Sequence, residues 1–128
     1  MQEKDLFEYA VIRVVPRVER EEFLNVGVIL YCAKQKFLRA IYKLDAAKLH
    51  AICGPDADID DIENNLRSFM TIADGGKKGG PIGELDLPSR FRWLTATRST
   101  VVQTSKVHPG FCEDASETLN RLFNQLVL

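Results

Sequence analysis

A chain of 128 residues is one domain's worth of sequence, long enough to bury its own hydrophobic core without disulfide or metal staples. With 45% hydrophobic and 27% charged residues, it is neither a disordered nor a fibrous sequence. The 17 Lys/Arg against 18 Asp/Glu give a net charge of −1, which excludes a whole-protein field drawing in nucleic acid or anionic membrane, so any polyanion site must be a local patch.

The chain opens with an apolar, β-branched and aromatic run from Phe7 to Pro16, which reads as a strand that stops at the proline. One face carries Phe7, Tyr9, Val11, Arg13 and Val15 and the other Ala10, Ile12 and Val14, so it is expected at the centre of its sheet. A charged connection over residues 17–22 leads to a second strand, Phe23 to Cys32. Gly27 inside that strand predicts a bulge or a close backbone approach. A third strand is expected from Phe37 to Leu44, with Leu38, Ala40, Tyr42 and Leu44 inward and Ile41 the exception. Three strands with short links imply an antiparallel meander.

Asp45 is placed to cap a short helix, Ala46 to Cys53, ended by Gly54-Pro55. A longer helix from Ile59 to Ala73 follows from the helical spacing of Ile59, Ile62, Leu66, Phe69, Met70 and Ala73, with Asp58 as N-cap. Residues 74–83 read as a flexible, glycine-rich loop. Arg90 to Ala96 is ambiguous between a helical turn and an extended segment. Arg98 to Val107 reads as a strand ended by Pro109-Gly110. A last helix is expected from Ala115 to Leu126, with Asp114 and Glu117 at capping-box spacing. The order predicts a single α+β domain over residues 1–128, an antiparallel sheet of about four strands with two to four helices packed on one face.

The cysteines, Cys32, Cys53 and Cys112, are an odd set without a CxxC pair, and no signal-peptide-like apolar region precedes the first strand. Reduced thiols and a cytoplasmic location are the expectation. The longest apolar runs fall far below the roughly 18 residues that span a bilayer, so no membrane is expected as partner.

Chemical motifs are thin. Gly75 to Gly80 has the first spacing of a P-loop, but Pro81-Ile82 stands where Lys-Ser/Thr is required. The aspartates of residues 56–60 resemble an EF-hand opening, yet Asp61 and Arg67 occupy the glycine and glutamate positions, and helix capping explains them better. His50 with Cys53, and His108 with Cys112, are two loose pairs that a zinc ion would have to share. Ser99, Ser105 and His108 lack the strained turn that exposes a serine nucleophile. Neither a catalytic residue nor a cofactor is assigned.

The arginines carry more. Arg90, Arg92 and Arg98 flank Phe91 and Trp93, the single tryptophan, while Arg13, Arg17 and Arg20 lie on or just after the first strand. Clustered arginines beside an aromatic suit a protein hot spot, or phosphate contacts combined with base stacking. The plainer reading pairs some of them with Glu19, Glu21, Glu22, Glu84 or Asp86.

Tyr9 to Leu30, the Gly80-Pro81-Ile82-Gly83 segment, and Arg90 to His108 resemble the uncharacterised bacterial family of domain of unknown function 3037, over nearly the whole chain. The resemblance implies no established activity. It implies a gene neighbourhood that often includes a HipA-like kinase, and hence such a kinase as an expected partner.

These readings combine into an expected binding surface of Arg13, Arg17, Arg20, Asn25, Arg90, Arg92, Trp93, Arg98, Ser99, Thr100, Gln103 and His108. The leading function is a non-catalytic partner or regulatory domain. Nucleic-acid or phosphate-ligand binding through the same arginines is the first alternative, and an enzyme acting on a phosphorylated small molecule, with His108 as acid or base, is the second. An exposed strand edge also leaves pairing of two copies open.

Overall fold

The first strand, β1 (Asp5–Val14), is the spine of a five-stranded antiparallel sheet. The computed structural model describes residues 4–16, 22–55, 57–96 and 100–128. On one side β1 pairs with β2 (Leu24–Cys32), which pairs in turn with β3 (Phe37–Tyr42). On its other side it pairs with two short strands laid end to end, β4 (Val102–Thr104) and β5 (His108–Cys112). The central place expected from its two apolar faces is the place it occupies.

Alternation along β1 sends Ala10, Ile12 and Val14 to one face and Phe7 and Tyr9 to the other. Strand β2 does the same with Ile29 and Tyr31 against Val28, Leu30 and Cys32. Such a sheet exposes apolar surface on both sides and must be covered on both. Helices α1 (Ala46–Cys53), α2 (Ile59–Asp74) and α4 (Leu87–Leu94) cover the first face with Leu49, Ile62, Leu66, Phe69, Phe91 and Leu94. Helix α5 (Ala115–Leu126) covers the second with Ala115, Leu119 and Leu122. The α+β class with an antiparallel sheet is therefore as expected, but the α-helices number five among the described residues where two to four were expected, and they divide between the faces. Ile41, the expected exception on β3, is packed against the α5 cluster.

Carboxamides beside the two ends of β2 hold α5 in place. Gln35 accepts a hydrogen bond from Ala115 N–H (2.9 Å) and donates to Glu113 C=O (3.1 Å) at the start of the helix. Asn25 donates to Leu126 C=O (3.2 Å) at its end. Asn25 faces α5 because of a bulge: Ile12 stands opposite Gly27 but Arg13 opposite Asn25, so Val26 is the extra residue. Gly27 meets the second expectation too, since a Cβ there would run into Ile41 C=O and the Tyr42 Cβ. Gly27→Ala is expected to cost about 2 kcal/mol, read as a lowered denaturant midpoint; an unchanged midpoint would show that β3 yields freely.

Two expectations are corrected along residues 74–112. Residues 74–83 form a 3-10 turn (Lys77–Gly79) running into the one-turn helix α3 (Gly80–Gly83), where a flexible loop was expected. Here the glycines build the turns: Gly75, Gly76 and Gly80 have φ of +83°, +99° and +68°, and Gly76 N–H closes onto Gly83 C=O at 2.7 Å. Of the strand expected over residues 98–107, residues 98 and 99 lie outside the described residues and the described part forms only β4, while pairing resumes at His108 and runs through Pro109-Gly110. From Thr104 to His108 is four residues, whereas their partners Ile12 and Tyr9 are three apart, so the edge carries one extra residue. Ser105 bridges the interruption, its Oγ accepting from Val11 N–H (2.8 Å) and donating to Lys106 C=O (2.9 Å). An edge strand tolerates Pro109 because the missing N–H is needed only on an inner strand.

Candidate functional site

Residues 90–96, ambiguous in sequence, are resolved by a cap. Asp86 accepts from Ser89 N–H at 2.9 Å, Pro88 occupies the first turn, and α4 runs from Leu87 to Leu94. Hydrogen bonds from the Ser89 side chain and backbone hold the Asp86 carboxyl below its usual range. Helical spacing then sends Phe91 and Leu94 into the core and leaves Arg92 and Trp93 outside.

The arginines of this helix have different fates. Arg90 is buried, with its Nη1 donating to Ala73 C=O (3.0 Å) and Ile72 C=O (3.3 Å) at the end of α2. A cation on those carbonyls satisfies the helix C-terminus and opposes its dipole, so Arg90 is a structural cap rather than part of a contact surface. Arg92 is exposed and forms an ion pair with Glu8 of β1 at 3.5 Å. The acid that partners it is thus on the central strand, outside the set of glutamates and aspartates expected from sequence. Arg17, Arg20, Arg98 and Ser99 lie outside the described residues.

Trp93 is 39% exposed. On one side of it lies a groove of about 200 Å³ between α2, α4 and β4, floored by Phe69, Ile72, Leu94 and Val102 and edged by Asn65, Ser68 and Thr100. On its other side is a shallower face made by Leu85, Pro88, Ser89 and Arg92. Leu85 and Val101 are exposed nearby in sequence. The groove floor was missed because Phe69 and Leu94 carry the signature of core residues, and whether a core stripe is fully covered depends on the neighbouring element.

The remaining expected residues stand on the opposite side of the sheet. Arg13 is in the β1 row of Phe7, Tyr9 and Val11, and its cross-strand partners are Asn25 on β2 and Gln103 on β4. His108 is opposite Tyr9, their rings 5.4 Å apart. The guanidinium of Arg13 lies 4.0 Å from the ring centroid of Phe23. The expected surface is therefore two surfaces: Arg92, Trp93 and Thr100 on the α4 side, and Arg13, Asn25, Gln103 and His108 on the α5 side, with the sheet between them.

The weaker motifs also find places. Ser105 is buried and engaged in the ladder through its Oγ. Asp58 caps α2 by accepting from Asp61 N–H (3.0 Å), while Asp56 lies outside the described residues. Cys53 packs against the cluster under α2 and Cys112 lies in the cluster under α5, so the two His/Cys pairs sit on opposite faces and cannot share one ion. Burial pushes both thiols up, away from the thiolate a metal would need. Among the described residues no three His, Cys, Asp or Glu side chains form a metal-holding group, and no helix is long and apolar enough to cross a membrane.

The family model described as "Protein of unknown function (DUF3037)" matches residues 9–127. The chain belongs to the DUF3037 family. The match takes in β2 to β5 and the five described α-helices, so Trp93 with its groove and Arg13 with its cross-strand partners lie within this DUF3037 domain. Neither the curated proteins nor the solved structures yielded a match.

Proposed function

We propose that this DUF3037 domain is a non-catalytic binding module that docks a protein partner on its Trp93 face, and that a HipA-like kinase is that partner. The observation that carries the reading is the exposed Trp93, with an open apolar groove edged by Asn65, Ser68 and Thr100 on one side of it and the Arg92–Glu8 pair on the other. An apolar floor inside a polar rim is the anatomy of a protein interface, and tryptophan is the residue most enriched at its energetic centre. Base stacking on Trp93 is less well supported, because Arg90 is turned into the core and Arg92 is paired with Glu8. The kinase itself comes from the gene neighbourhood that the family resemblance implies.

Co-expression of the tagged domain with the neighbouring kinase, followed by size-exclusion chromatography with light scattering, tests this. The expected result is a stoichiometric complex that Trp93→Ala weakens at least about tenfold, with Arg92→Ala weakening it only a few-fold because the Glu8 pair is exposed. A domain that runs alone beside the kinase overturns the kinase assignment. A homodimer broken by Trp93→Ala would give the face to a second copy instead.

A further inference from the structure

The α5 side of the sheet carries a feature that the Trp93 face does not use. Arg13 is half-buried, and among the described residues its guanidinium enters no ion pair. Its Nε is fully buried with no hydrogen-bond acceptor. The Phe23 ring lies 4.0 Å away and fixes the guanidinium by stacking, which offsets part of the desolvation but supplies no counter-charge.

The neighbours of Arg13 fit an incoming anion. The residues paired with it across the sheet, Asn25 and Gln103, are both carboxamides without formal charge, the Asn25 Oδ1 being, like the Arg13 Nε, buried without a hydrogen-bond partner. Both amide nitrogens are already committed, Asn25 to Leu126 C=O and Gln103 to Thr100 C=O (2.7 Å), which braces the row on either side of the guanidinium. With the Nε edge turned in, the guanidinium makes no hydrogen bond from its Nη groups to another described residue, and such a fork matches two oxygens of a phosphate or carboxylate.

We infer that Arg13, with Asn25 and Gln103 on either side, is an oxyanion-binding site for a ligand bearing a phosphate or carboxylate group, on the opposite face of the sheet from Trp93. The inference does not depend on the docking reading and its test leaves that reading untouched.

Melting temperatures of the isolated domain in sodium phosphate, sodium acetate and sodium chloride at matched ionic strength provide the test, together with the side-chain Nε–Hε resonance of Arg13 by NMR. The expected result is a rise of about 4–6 °C over chloride once the anion exceeds its dissociation constant tenfold. The Arg13 resonance should move in parallel, and Arg13→Gln should abolish the rise. A response to phosphate alone identifies a phosphorylated ligand, and one to acetate alone a carboxylate. No rise beyond chloride, or a rise that survives in Arg13→Gln, overturns the site. Should Arg13→Gln fail to fold, an unmoved Arg13 resonance in the wild-type protein overturns it equally.

Discussion

Arg90→Ala is expected to destabilise the domain by about 3 kcal/mol, seen as a lowered denaturant midpoint with an unchanged slope. Without the guanidinium, Ile72 C=O and Ala73 C=O at the end of α2 lose their charged donor in a largely buried site. The loss stays below the upper limit for a broken buried charge network because the Arg90 Nε is itself buried without an acceptor, and removing it recovers that penalty. Gly75 belongs to the same device. Its φ of +83° suits glycine, and a Cβ there would collide with the Arg90 Nη1, so Gly75→Ala should reproduce much of the defect. If Arg90→Ala lowers the unfolding free energy by less than about 0.5 kcal/mol, the arginine is not holding α2.

Phe91→Ala should cost about 4 kcal/mol, and Trp93→Ala, two residues along the same helix, less than half of that. The Phe91 ring is fully buried, 5.4 Å from the Tyr31 ring, in the cluster that joins α2 and α4 to the sheet. Trp93 is only partly covered, so truncating it forfeits less burial and leaves no closed cavity. Chemical denaturation of the two variants side by side separates the roles. A Trp93→Ala cost equal to that of Phe91→Ala would mean that the tryptophan is core, and the docking face would lose its anchor.

Much of the architecture was legible because it is written in short-range patterns. The caps at Asp45, Asp58 and Asp114 are local chemistry, each aspartate accepting from the backbone N–H three residues on, and the helices they open begin where expected. The two apolar faces of β1 are a period-two pattern, and they placed it centrally. Residues 74–83 and 100–112 were misread for the opposite reason. Glycine-rich sequence allows a loop or a chain of tight turns, and what selects the turns is a contact between distant groups, such as Gly76 N–H with Gly83 C=O. The edge strand continues past Ser105 because β1 supplies partners, and no local propensity predicts that.

The candidate site divides along the same line. Sequence alone determined which residues have the chemistry for contact: the arginines, the tryptophan, and the amides and hydroxyls around them. It also determined the family, through segments long enough to be specific. Only the tertiary structure decided what each does, because a side chain's role depends on which face it leaves and what it meets there. Arg90 and Arg92 are two residues apart, yet the 3.6-residue helical period turns the first onto the end of α2 and the second toward Glu8. Arg13 and Trp93 were read as one surface, but strand alternation and the two-sided covering of the sheet set them on opposite faces.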